Sequence, residues 1–306
     1  MIQERIEDGF VIIPNEMILP NEEGRTMIKD IDCKALPIWI YLKNHECKGS
    51  CYFSLEDMVK ECGYKPDAHK NKINDKFKDI LKKMIKEKII TEINIDPSDK
   101  QFKANTFIKC KLMDIEDRFF TVEDYQYKWI MEYRGKEDKL NLLKVFCLIK
   151  ARMYRRSGND SAIDGIYEVA FPSYKDIEYN CLISEGVIKT YIDILVDLKL
   201  IKYDNLGQVI DRETGEVKEC NNTYVIYKNG WEEELQGSMG LLKKKLKEKG
   251  YIIPRKYRKI DNRSLAGKKT QINKKIKNGT ATEKDYMKLE KINIQLRKKD
   301  EIEKLL

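Results

Sequence analysis

Residues 171–207 read FPSYKDIEYNCLISEGVIKTYIDILVDLKLIKYDNLG, and residues 221–227 read NNTYVIY. Ser173 is placed to cap a short helix with Tyr174, Ile177 and Cys181 turned inward. Cys181-Leu182-Ile183 then forms a turn before a second helix capped by Ser184. Val187, Tyr191, Ile194, Leu195 and Leu198 give that helix an apolar stripe of 3.6-residue period, with Glu185, Gly186, Lys189, Thr190 and Asp193 outward. After Leu200 the pattern changes to strand: IKYDNL, a polar loop through Asp211–Gly215, and TYVIY as the return strand.

An earlier stretch repeats this unit. Ser54, Asp57, Met58 and Cys62 match Ser173, Asp176, Ile177 and Cys181, and Ile73, Phe77, Ile80, Leu81 and Met84 reproduce the stripe at the same spacing. Asn105-Thr106-Phe107-Ile108 matches Asn222-Thr223-Tyr224-Val225. The first copy has a longer turn, GYKPDAHK, and a longer second helix ending near Ile89-Ile90. Three matches in register point to an internal duplication. Lead-ins repeat as well: a strand at Phe10–Pro14 before the apolar helix around Leu36–Leu42, and a strand at Phe119–Val122 before Leu140–Tyr154. The fold expected is α+β, mainly α with small β-hairpins: two tandem winged helix-turn-helix domains, residues 1–115 and 116–235, followed by a basic helical region, residues 236–306.

A chain of 306 residues accommodates two such cores and an appendage. No run of about 18 apolar residues occurs, so no membrane span is expected. MIQERIEDGF lacks the apolar stretch of a secretory signal, so a cytoplasmic protein is expected. The eight cysteines fall mostly on apolar faces and read as reduced core residues. The net charge of +8 is uneven: residues 241–306 carry 22 Lys and Arg against 8 Asp and Glu, net +14, whereas residues 1–240 are net −6. In that region Gly237–Gly240 is expected to break the chain. GYIIPRKYRK follows with Arg255, Lys256, Arg258 and Lys259, then two helices separated by Asn278-Gly279, the second opened by Thr282 with Asp285 three residues on.

The second helix of the first copy exposes Lys70, Asn71, Lys72, Asn74 and Lys76, residue types that contact phosphates and base edges in the major groove. Its counterparts in the second copy are Ser184, Glu185, Gly186, Ile188 and Thr190, with Lys189 the basic residue nearby. The wings offer Lys100 and Lys103 in the first domain, and Arg212 and Lys218 in the second, to backbone or minor groove. The basic C-terminal region suits a salt-sensitive, sequence-independent anchor on nucleic acid. The contrast between the two helices suggests that the first copy reads DNA, and the strongly apolar helix at Leu140–Tyr154 suggests dimerisation through the second.

His45, Cys47, Cys51, Cys62 and His69 lack the paired spacing of a zinc site. Gly267-Lys268-Lys269-Thr270 lacks the first glycine of a phosphate loop and its hydroxyl position. With two histidines there is no His-x-His pair of the kind nicking enzymes carry, so no metal, cofactor or enzymatic activity is expected.

The lead-in FVIIPNEM with its apolar helix, together with FSLEDMVKECG and the stretch from Phe171 to Ile201, resembles plasmid replication initiators of low-GC Gram-positive bacteria and is similar to phage replisome organisers. The resemblance spans about residues 1–230 and is one of pattern. It implies tandem winged domains that bind origin repeats in double-stranded DNA, a homodimer or higher oligomer on that DNA, host replication proteins as further partners, and one winged domain given over to dimerisation. A transcriptional or partition regulator, or a winged-helix protein-interaction module, would use the same fold.

Overall fold

The structure is a computed structural model and describes residues 9–115, 117–156, 165–254, 262–290 and 292–293. It is a mixed α+β fold with small sheets. The first half runs β1 (Phe10–Pro14), a single 3-10 turn, α1 (Met27–Asp30), α2 (Ala35–Asn44), β2 (Glu46–Cys47), β3 (Ser50–Phe53), α3 (Leu55–Glu61), α4 (Ile73–Lys86), β4 (Ile90–Ile93) and β5 (Ile108–Leu112). Ser54 caps α3, its hydroxyl accepting from Asp57 N–H at 3.2 Å and donating to the Asp57 carboxylate at 2.6 Å. The antiparallel sheet has the order β2-β3-β5-β4. Cys51, Phe53, Ile108 and Cys110 on its inner face meet Phe77, Ile80, Leu81 and Met84 of α4 in one buried cluster.

The second half repeats the lead-in strand, apolar helix and helix pair, with different strands around them. It consists of β6 (Phe119–Glu123), α5 (Asp124–Met131), α6 (Lys139–Ala151), α7 (Tyr174–Cys181), α8 (Glu185–Asp197), β7 (Ile201–Asp204), β8 (Gln208–Asp211), β9 (Val217–Glu219), β10 (Thr223–Ile226), α9 (Trp231–Glu248) and β11 (Tyr251–Ile252). Ser173 and Asp176 form a full capping box on α7. Helices α4 and α8 end alike: Lys88 and Lys199 take left-handed φ of 50–60°, and Ile89 and Leu200 N–H close back onto Met84 and Leu195 carbonyls. The first copy's helix is therefore not extended to Ile89-Ile90. Its stop signal is a lysine in the position where glycine is usual, and Ile90 already belongs to β4.

Strand pairing revises two details of the repeat. Cys51 pairs with Cys110, and Ala170 bridges Tyr224, so Tyr224 is the structural counterpart of Cys110. The letter match of Asn105–Ile108 with Asn222–Val225 is thus displaced by three residues, an odd slip that reverses which side chains face the core. The second hairpin is also more elaborate than one return strand. β7 pairs with β10, while β8 and β9 form a separate hairpin that β11 joins.

Two features join the halves. The lead-in strands pair with each other, Val11 opposite Val122 and Ile13 opposite Phe120, all four buried. α6 is buried at every residue from Leu142 to Lys150, and Lys144 on it donates to the Cys181 carbonyl and lies 3.7 Å from Cys33 Sγ. The apolar surplus of Leu140–Tyr154 is therefore spent inside the chain rather than on a dimer face. One core cluster extends from Val11 to Ile226, and contacts divide the chain into Met1–Ile252 and Ile253–Leu306, so residues 115/116 fall inside the first unit. α9 belongs to that unit too and runs unbroken through Gly237 and Gly240. The Tyr167 ring occupies the space that a Cβ at position 237 would fill, so glycine there serves close packing and does not end the helix.

The second unit contains α10 (Asn262–Lys277) and a helical stretch beginning at 283, separated by Gly279 at φ +68°. Thr282 N–H donates to Asp285 at 3.1 Å, and Lys275 bridges to Asp285 at 3.2 Å. No helix among the described residues is long and apolar enough to cross a membrane.

Candidate nucleic-acid interface

The long turn between α3 and α4 is held by a side chain expected to face DNA. Asn74 is 4 % exposed; its Oδ1 accepts from Asp67 N–H at 3.0 Å, and its own N–H donates to the Asp67 carbonyl. Its counterpart, Ile188, is fully buried. Asn74 is consequently a structural residue and is withdrawn from the groove-facing set. Lys70, Asn71, Lys72 and Lys76 remain exposed around the first turn of α4. Asn71 adopts φ +63° and donates its N–H to Asp75 at 2.8 Å, which turns the chain into the helix. No carboxylate lies within ion-pairing distance of Lys70, Lys72 or Lys76 among the described residues. Three ammonium groups without an ion-pair partner therefore stand beside the N-terminus of α4, whose first turn also carries Asp75.

The β4–β5 loop is anchored by Phe102, which is buried, with Lys78 Nζ 5.6 Å from its ring centroid. Glu56 N–H donates to the Ala104 carbonyl at 2.8 Å, tying the loop to the start of α3. Lys100 and Lys103 flank this anchor, both exposed and both without a carboxylate partner among the described residues.

The second copy is different in kind. The buried stripe of α8 is Ile188, Tyr191, Ile192 and Leu195, and Val187 is exposed. The helix is rotated from the stripe expected because Ile188 fills the place that Asn74 takes in the first copy. Ser184 occupies the N-cap position without a side-chain cap bond; it and Thr190 are exposed. Lys189 is bound to Asp193 at 2.5 Å. Glu185 and the exposed Leu182 and Val187 share this outer surface with Tyr179, whose ring carries the Lys29 ammonium 3.2 Å from its centroid. On the β8–β9 hairpin Arg212 is exposed and Lys218 pairs with Glu216 at 3.0 Å. Arg255, Lys256, Arg258 and Lys259 lie outside the described residues.

The buried Lys150 and Cys181 serve packing. Burial drives the Lys150 ammonium below its usual range, and Glu123 at 2.6 Å with Gln126 at 2.8 Å holds its charge in place. Burial pushes the Cys181 thiol up to about 12, opposite to the activation a nucleophile needs. Among the described residues no three His, Cys, Asp or Glu side chains converge as a metal site. Sequence reasoning passed over one group, the half-buried Tyr52 ring stacked on the exposed Phe107 beside Lys109, whose signal is the in-out alternation of IKCKL after an aromatic residue. Comparison with protein-family models, with characterised proteins and with solved structures yields no match.

Proposed function

We propose that this chain is a DNA-binding protein built on two winged helix-turn-helix units, in which α3–α4 and α7–α8 are the helix pairs and the β4–β5 and β7–β10 connections are the wings. More particularly, it acts as a plasmid-type replication initiator that binds origin repeats in double-stranded DNA, without enzymatic activity. The observation that carries the reading is the group of unpaired lysines Lys70, Lys72 and Lys76 at the N-terminus of α4, with Lys100 and Lys103 on the adjoining loop. Phosphate contacts from such groups position a helix, and neighbouring side chains such as Asn71 read base edges. The second helix pair, with Lys189 neutralised and Tyr179, Leu182 and Val187 exposed, favours contact with protein: a second copy on adjacent repeats or a host replication protein. A transcriptional or partition regulator would need the same DNA contacts, so the decisive test goes beyond binding. Selection from a random duplex library should enrich one short motif, and the coding region with its flanking repeats of that motif should sustain replication of a plasmid lacking its own origin. Enrichment of no motif would overturn the DNA-reading proposal. A motif without replication would leave the regulator.

A further inference from the structure

The outer face of the first sheet carries an aromatic pair that the fold does not use. Tyr52 on β3 and Phe107 at the head of β5 stack with ring centroids 5.7 Å apart and planes at 21°. Phe107 is 67 % exposed, although a phenylalanine free to move would recover transfer free energy by burial. It is held out by a fixed loop: Thr106 N–H donates to the Lys103 carbonyl at 3.1 Å, and Thr106 Oγ1 donates to the Gln101 carbonyl at 2.9 Å. Lys109, directly opposite Tyr52 in the ladder, places its ammonium 5.8 Å from the Tyr52 centroid.

The charge around the rings selects an occupant. The carboxylates of Glu46, Glu56 and Glu92 are each taken by a lysine, Lys43, Lys60 and Lys111 respectively. Asp96 and Asp99 are turned into the loop, accepting Ser98 and Gln101 N–H. Lys103 and Lys109 have no carboxylate partner among the described residues. The internal repeat supplies a control. In the second sheet α9 packs on β7 and β10, and the outward Thr223 and Val225 are buried beneath it. The first sheet puts Lys109 and the Lys111–Glu92 pair on that face, which would bury charge under a packed helix, and the unpaired Lys109 suits a phosphate backbone. We infer that Tyr52 and Phe107, with Lys103 and Lys109, form a stacking platform for the unpaired bases of single-stranded DNA. α4 covers the opposite face of the same sheet, so a strand held here leaves the duplex-reading helix free. The site goes beyond the duplex reading and shares Lys103 with it; Tyr52 lies outside the duplex contacts, so its variants and those of Lys70, Lys72 and Lys76 fail in different assays.

The test uses the full chain and a fluorescent fifteen-residue oligothymidylate, with anisotropy read at about 0.5 M salt, where counterion release contributes little and stacking persists. Phe107→Leu and Tyr52→Leu each keep apolar bulk but lose the π-face, and should raise the dissociation constant about 5-fold to 100-fold, with the thermal midpoint unchanged in both and duplex binding unchanged in Tyr52→Leu, whose strand β3 lies outside the β4–β5 connection. Phe107→Trp should restore binding. A 5-iodouracil oligonucleotide should photo-crosslink to Tyr52 or Phe107. Undiminished binding by both leucine variants, or crosslinks confined to residues 253–306, would overturn the inference. So would a surface whose leucine variants lose only a protein partner.

Discussion

Replacing Lys70, Lys72 and Lys76 together by alanine separates the two helix pairs. Each of the three ammonium groups is exposed and makes no ion pair among the described residues, so each is able to displace a condensed counterion on contact with duplex DNA. At about 0.9 of slope per neutralised phosphate, the triple variant should flatten the plot of log affinity against log salt by about 2.7. Between about 0.1 and 0.3 M salt those contacts account for about 1.3 decades of the salt-induced loss of affinity. Lys189→Ala is the matched control, because its charge is already spent on Asp193 at 2.5 Å; its slope change should stay well under that of one full contact. Fluorescence anisotropy with a selected duplex across the salt series reads both. An unchanged slope in the triple variant, or a Lys189→Ala effect as large as one third of the triple, would refute the assignment of α4 as the reading helix.

Deleting residues 253–306 should lower affinity for specific and random duplex by a similar factor while motif preference is retained, measured by parallel titrations; the cut falls after Ile252 because α9 and β11 belong to the first unit. Phe146→Ala, at the centre of the buried α6, should cost about 3–5 kcal/mol, and calorimetry should still show one transition for Met1–Ile252, since both halves share that core. Separate transitions for the halves would contradict the shared core. Mild alkylation of the native protein should label exposed Cys47 first and leave buried Cys181 untouched, by mass spectrometry. The Ser173 hydroxyl and N–H hold Asp176 below the ordinary aspartate range. Its contribution is therefore full above about pH 4, the unfolded value, and is lost as pH falls through the lower folded value. The stability gap between wild type and Asp176→Asn, followed by denaturant titration, should narrow on acidification; a gap that widens there would contradict the cap.

Much of this chain was legible without coordinates because it is written in local periodicity. The capping pairs Ser54/Asp57 and Ser173/Asp176, the α4 stripe, and the helix pairs α3–α4 and α7–α8 depend on spacing along one element. So does the helical break at Asn278-Gly279. The exposed positions of Lys70, Lys72, Lys76, Lys100 and Lys103 were open to the same reading, since long cations keep to water unless paired.

Tertiary structure decided what depends on partners far away in sequence. Asn74 and Ile188 look outward by spacing, yet a long turn in one copy and a packed core in the other draw them in. The pairing of Cys110 with Cys51 and of Tyr224 with Ala170 set the strand equivalence against the letters, because register follows which face is buried. Gly237 reads as a break until Tyr167 is seen lying against it. The two lead-in strands, alike in sequence, pair with each other, and α6 is buried between the halves they join. A duplicated sequence specifies each copy's own elements; the burial of apolar faces left over from each copy is settled only when both are folded together.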